Sequence, residues 1–384
     1  MNSFKIKDGI YWTGAIDWHP PKLGYGISKG TSYNSYIILE DKIALIDTVK
    51  HGFTHEIISR IEDVIDPSKI DYIIIGNYKM DHSGSLPFLM KKTKNAIIVT
   101  TESSKNAIER YHGQKFNFLI VKDGDILDLG KRKLQFISFK INDNDILMTY
   151  SSNDKLIFSE DLFSQHIASS FRFDKDIDGI LDDALSYFVN YLMPLGKLPD
   201  FSKIEVIAPN HGVIWGNLSY KIIENYQKWI KSSSNDKVTL IYSSMWRGNE
   251  KMAYAIADGV SSTGIEVNVI NYDDQELGKI ASEVFTSKAV VIGCPSFKGS
   301  IPPELSKIFS YFKSIGLNNK LAALFTCYEG KSPAKSLTEY ASLLSFNLID
   351  SPLEVMYAPN KTDLEKCFKL GVKIGKEVKI QKVN

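Results

Sequence analysis

Residues 72–87 read YIIIGNYKMDHSGSLP. The apolar run from Tyr72 to Ile75 has the β-branched and aromatic composition of a strand. It leads through Gly76 into a loop that presents Asp81 and His82 side by side, followed by the small-residue turn Ser83-Gly84-Ser85. A strand ending in metal-competent side chains holds ligands on a rigid scaffold. An Asp-His pair alone is more often plain surface loop, but two further strand ends repeat the pattern. Asp161 stands in LIFSEDLFSQH and His211 in VIAPNHGVIWG, each after an apolar run. Two Asp and two His placed in this way suit a hard-to-borderline cation such as iron, zinc or manganese.

Outward from this stretch, residues 4–50 alternate short β-type runs with turns, and Pro20-Pro21, Gly24, Gly26 and Gly30 mark a loop. Asp47 ends a strand and is read as a loop-capping residue. Residues 51–65 predict an amphipathic helix with Ile57, Ile58, Ile61 and Ile65 on one face. His51 and His55 are four apart on it, and a solvated helix face explains them without a metal. Further helices are expected at 84–90, 103–111 and 181–195, with strands at 96–100, through 116–160 and at 206–209. This order suits two sheets between outer helices, with the site along one edge.

Residues 229–237, WIKSSSNDK, are polar and serine-rich, as a linker would be. The expected domains are therefore 1–232 and 237–384. In the second, a strand at 238–242 runs into Ser244, Met245, Trp246, Arg247, Gly248 and Asn249, and a helix begins near Glu250. Loop N–H groups and a helix N-terminus at such a junction bind phosphate. No GxGxxG fingerprint accompanies it. Two more apolar strands open into loops, one carrying Pro295, Ser296, Phe297, Lys298 and Gly299, the other Thr326, Cys327, Tyr328, Glu329 and Gly330. Three such loops gather at one rim of a doubly wound parallel sheet, where ligands of that architecture bind.

Composition excludes other classes. The 384 residues carry a net charge of +1, and Lys and Arg are spread along the chain, so no strong field points to nucleic acid or membrane. The three cysteines, Cys294, Cys327 and Cys367, form no CxxC pair and no disulfide framework. No apolar signal core and no membrane-length apolar run are seen, and the expected location is the cytoplasm.

DHSGSLP, FSEDLFSQH and APNHGVIW resemble the metal-site segments of the flavodiiron proteins, and residues 30–50 and the C-terminal half agree with that family in order. The resemblance implies an α/β chain: an αββα metallo-β-lactamase-like sandwich followed by a doubly wound parallel flavodoxin-like domain that binds FMN. It also implies Asp81, His82, Asp161 and His211 as metal ligands, with Asp161 bridging two irons. The sequence departs from the family's His-x-Glu-x-Asp-His segment, with Asn77 at the first His and Lys79 at the Glu. Lys140 stands at the place of a further ligand His, and Leu23 at that of a loop His. Half of the two-metal site is thereby erased, which implies one iron ion or none rather than two.

Lys79 and Lys140 are expected to occupy the vacated half and pair with Asp161, since a buried carboxylate needs a cationic partner; the alternative is that both point to solvent. His166 matches a family position outside the ligand set and is read as a neighbour of the ligands or as core. By the same resemblance Ser244 to Asn249 hold the FMN phosphate, with Arg247 adding charge against it. The loops 295–299 and 326–330 flank the isoalloxazine ring, although Gly330 replaces an aromatic residue. The function implied is an oxidoreductase taking electrons from a small carrier protein or a reductase and reducing O2 or NO. A head-to-tail homodimer or homotetramer would bring flavin and metal together. An electron-transfer flavoprotein with a degenerate metal site, and a metal-dependent hydrolase, are the competing readings.

Overall fold

The computed structural model describes residues 1–19, 29–93, 95–141, 144–231 and 234–380. Leu23 and the Pro20-Pro21, Gly24 and Gly26 loop lie outside the described residues. The chain divides into two units, Met1–Phe188 with Leu195–Gln227, and Val189–Pro194 with Lys228–Asn384. Among the described residues no helix is long and apolar enough to cross a membrane.

In the first unit the strand Tyr72–Ile74 lies inside a seven-stranded sheet, with parallel neighbours Ala44–Ile46 and Ile97–Thr100. Successive side chains of a strand face opposite ways, and here both faces are covered. Ile74, Ile46 and Val99 pack against Leu134, Phe136, Leu147 and Phe158 of a second, five-stranded sheet. Ile73, Leu45 and Ile98 pack against Ile57, Ile61, Leu86, Leu89 and Ile108 of the outer helices. Burial on both sides is why the run is apolar without alternation.

The register of these strands assembles the site. Ile46 pairs with Ile74, so Asp47 and the stretch from Gly76 emerge at one level. In the other sheet Phe158 pairs in parallel with Ala208, so Asp161 and His211 emerge together. Asp47 does more than cap a loop. It is fully buried, and its Oδ1 accepts from Gly76 N at 3.0 Å while its Oδ2 accepts from Asn210 Nδ2 at 2.8 Å.

The second unit is one parallel sheet in the spatial order Glu266–Asn271, Asn235–Tyr242, Ser287–Gly293, Leu321–Tyr328, Asn347–Leu348, and Leu353–Met356 continues the edge beside the end of Leu321–Tyr328. The stretch read as a linker is partly consumed. The helix Ser219–Ile230 takes Trp229 and Ile230, and the strand from Asn235 takes the last residues of the polar stretch.

The helices Gly248–Ser261 and Lys361–Ile380 cross where each has a glycine. A Cβ on Gly371 would lie 2.0 Å from Ile256 O, and one on Gly259 would lie 2.1 Å from Phe368 O. The opposing atoms are backbone and cannot swing aside. Gly371→Ala is therefore expected to destabilise this unit by about 2 kcal/mol, the overpacking cost exceeding the ~1 kcal/mol that Ala offers a helix. Denaturant unfolding followed by far-UV circular dichroism checks it.

Candidate metal centre and nucleotide cleft

Asp81 and His82 sit on a single helical turn, Met80–Ser83, rather than in a loop. The carbonyl of Lys79 accepts from His82 N at 3.0 Å and Ser83 N at 2.9 Å, which closes the turn. Four residues are too few to show a helical period in the sequence.

The four residues come together at the sheet edge. His82 Nε2 is 3.6 Å from Asp81 Oδ1 and 3.5 Å from Asp161 Oδ1. His211 Nε2 is 3.5 Å from Asp81 Oδ2 and 3.7 Å from Asp161 Oδ1. These gaps are long for hydrogen bonds, but they match ligand-to-ligand edges of about 3.4 Å around a tetrahedral cation bound at ~2.1 Å.

The tautomer of His211 agrees with such a use. His211 Nδ1 lies 2.7 Å from Ser32 O, a pure acceptor, so Nδ1 carries the proton and the Nε2 lone pair faces the carboxylates. His82 Nε2 is buried with no hydrogen-bond partner among the described residues. Burial opposes a charge on this ring, but Asp81, Asp161 and Asp47 push its pKa well above the ordinary value, so a cation bound there would take the place of a proton. Burial works to raise both carboxyls, yet they stay well below the usual range. His82 and His211 hold Asp81 down, and the Lys79 ammonium with the same two rings holds Asp161 down. The donor set therefore fits one cation of the iron or zinc kind.

The far side of Asp161 is occupied by protein. Lys79 Nζ and Asn77 Nδ2 each donate to Asp161 Oδ2 at 3.1 Å. On the side of the histidines, Tyr187, which no local pattern marks for this place, donates its hydroxyl to Oδ1 at 3.0 Å. Lys140 does not join them, contrary to expectation. Its side chain is 77% exposed, and Nζ lies 3.9 Å from Asp145 Oδ1. Lys140 and Asp145 are partners across a hairpin, and register alone sends Lys140 outward.

Breaking a buried pair costs about 3–5 kcal/mol, but the Lys79 side chain is 45% exposed and water screens it. Lys79→Met is accordingly expected to cost about 1–2 kcal/mol in metal-free protein, read from urea unfolding.

His166 stands beside the ligands. Its Nδ1 is 2.8 Å from Thr31 Oγ1, and its ring centroid is 5.1 Å from that of His211. Burial, with His211 adjacent, holds its pKa down to about 3, so it is neutral near pH 7. Beneath His82 lies a second buried group, Asp47 and Glu160, whose ligand atoms could also surround a cation with His82. The Asn210 amide fills that space, donating to both carboxylates at 2.8 Å. His51 and His55 lie on the surface, and His51 stacks on Phe88.

In the second unit, three of the strand-end loops meet at a cleft of about 100 Å³. Ser244, Met245, Trp246, Gly248 and Asn249 line it from the first, Pro295 and Ser296 from the second, Cys327, Tyr328 and Glu329 from the third. A fourth segment, missed in the sequence, adds Tyr357. Ser244 Oγ is buried without a hydrogen-bond partner among the described residues, as a hydroxyl awaiting an anion at a helix N-terminus would be. Asn249 is turned inward, with Oδ1 accepting from Cys327 N at 2.6 Å and Nδ2 donating to Cys327 O at 3.4 Å.

Other expected residues lie outside the lining. Arg247, in the left-handed region at φ 63°, pairs with Glu250 instead of facing the cleft. Phe297 and Ser300 exchange backbone hydrogen bonds and close a turn that carries Lys298 and Gly299. The Thr326 hydroxyl donates to Cys294 O at 2.8 Å, tying two loops together. Among the described residues nothing lies within 4 Å of a Cβ added at Gly330.

A β-lactamase-like sandwich with a carboxylate-histidine cluster, continued by a flavodoxin-like sheet with a phosphate-type cleft, defines a two-domain flavoprotein oxidoreductase. The profile described as ODP family beta lactamase matches residues 31–212, and that of flavodoxin matches residues 240–371. The nitric oxide reductase of Moorella thermoacetica is 34% identical, with 97% of this chain and 98% of that protein covered. The rubredoxin oxygen:oxidoreductase of Desulfovibrio gigas is 29% identical, with a TM-score of 0.91 and 99% of both chains covered. The flavodiiron protein of Giardia intestinalis is 28% identical, with a TM-score of 0.92, covering 99% of this chain and 97% of that one. This chain belongs to the flavodiiron protein family, whose cofactors are flavin and iron.

Proposed function

We propose that this protein passes electrons from FMN in the cleft of its second unit to a single iron ion held by Asp81, His82, Asp161 and His211, where O2 or NO is reduced. The observation that supports the single-ion reading is the environment of Asp161 Oδ2, which faces an ammonium and an amide N–H and not a lone-pair donor. Neither group can ligate in that state. When bound, the flavin supplies electrons and the iron supplies the place where the small diatomic substrate is reduced.

The protein's own residues do the rest. Ser32 O fixes the His211 ring, Tyr187 and Asn77 fix the Asp161 carboxylate, and Lys79 supplies the positive charge that a second ion would bring. In the cleft, Ser244 Oγ and the N–H groups opening the helix Gly248–Ser261 hold the phosphate.

The reading includes domains at 1–232 and 237–384, a small electron-carrier protein or reductase as donor, a cytoplasmic location, and a head-to-tail homodimer or homotetramer. One assay tests the function. Photoreduced, FMN-loaded protein should consume O2 or NO under otherwise anaerobic conditions, in proportion to the iron measured in the same sample. Consumption that does not change when the iron is removed would sink the metal-site reading, and no consumption of either gas would sink the reductase reading.

A further inference from the structure

We propose that Tyr357 is an aromatic wall of the flavin site, covering one face of the isoalloxazine ring. This rests on the reading of the cleft as the FMN site. Strands Leu321–Tyr328 and Leu353–Met356 run parallel, with Tyr328 opposite Met356 at their last rung. Residue 357 is therefore the first to leave the sheet, at the rim where the third loop also begins.

Its backbone is clamped there. Tyr357 N donates to Tyr328 O at 2.8 Å, and Tyr357 O accepts from Cys327 Sγ at 3.1 Å. Four residues on, the helix Lys361–Ile380 starts from a reciprocal cap, with Asp363 N donating to Asn360 Oδ1 at 3.0 Å and Asn360 N donating to Asp363 Oδ2 at 3.2 Å. The short connection carrying Tyr357 is tied at both ends.

Three features of the residue call for a ligand. Its φ is 67°, the left-handed region, where a bulky side chain is an outlier and the usual occupant is glycine. Strain of this kind collects at ligand clamps. The residue is 68% exposed although it lines a concave cleft, so protein packing does not explain an aromatic side chain here. And the third loop, which brings Tyr328 to the cleft, has a glycine at 330 with nothing among the described residues within 4 Å of a would-be Cβ, so a second ring is missing from that loop. A rigid aromatic side chain is a suitable stacking partner for a flat heterocycle at little cost in side-chain entropy.

The test is titration of FMN into the purified full-length apoprotein, followed by quenching of flavin fluorescence, for wild type, Tyr357→Phe and Tyr357→Ala. Alanine at an exposed position should leave the fold intact, which the unfolding temperature of each apoprotein checks. Tyr357→Ala is expected to bind FMN about tenfold or more weakly, with brighter bound flavin, while Tyr357→Phe stays within about twofold of wild type. Wild-type affinity in Tyr357→Ala would overturn the proposal. So would equal weakening in Tyr357→Phe and Tyr357→Ala, since that would assign the contact to the hydroxyl. Failure of wild type to bind FMN would instead overturn the flavin reading of the cleft.

Discussion

Anaerobic loading of the purified chain with ferrous iron, followed by desalting and metal analysis, is expected to find one ion per chain, and His211→Ala to retain almost none. The first half follows from the two faces of Asp161. Oδ1 looks toward His82 Nε2 and His211 Nε2 at 3.5 and 3.7 Å, where a cation has partners. Oδ2 already receives Lys79 and Asn77, and a second ion there would have to displace an ammonium from a carboxylate before gaining any ligand. The second half follows from the ligand count. Loss of groups that merely orient a ligand weakens metal binding by about 10–100-fold, and loss of a ligand itself is expected to cost at least ~100-fold. Two ions per chain at full occupancy would refute the single-ion site. Iron retained by His211→Ala would refute its ligand set.

Gly76→Ala is expected to damage the fold and the site together. Gly76 lies between the strand Tyr72–Ile74 and Asn77, with its N–H on Asp47 and its carbonyl accepting from Leu147 N at 2.9 Å. A Cβ there would sit 2.0 Å from Glu160 Oε1 and 2.5 Å from Leu147 O. The carboxyl of Glu160 is buried beside Asp47, and Leu147 belongs to the facing sheet, so neither yields easily. A loss of about 3 kcal/mol or more is expected, at the upper end of overpacking costs. Because everything from Asn77 to His82 follows from this residue, iron should be lost as well.

Gly52→Ala is the internal control. Among the described residues nothing beyond its own turn lies within 4 Å of a Cβ added there, and its effect should stay within about 0.5 kcal/mol. Thermal unfolding and iron content of the two variants, measured side by side, decide this. Similar stability in both would show that the sheet edge is far more compliant than a packed interior.

Much of the molecule is legible from local pattern. The apolar run at 72–75, the phosphate-type loop after Tyr242 and the switch from a mixed to a parallel sheet are all written in short-range periodicity and turn chemistry, because each depends on the burial of residues near one another in the chain. So are Asp161 and His211 as residues just past strand ends, whereas the turn that carries Asp81 and His82 is not.

Tertiary structure decided what each side chain meets. Lys79 and Lys140 look alike in sequence, yet one reaches Asp161 and the other follows its hairpin into solvent. Tyr187 and Tyr357 arrive at their sites from distant elements, with no local signal to mark them among nineteen tyrosines. Side-chain alternation and apolar runs record whether a position is buried. Only the register between strands, and the turns that leave them, set which buried atoms end up within bonding distance.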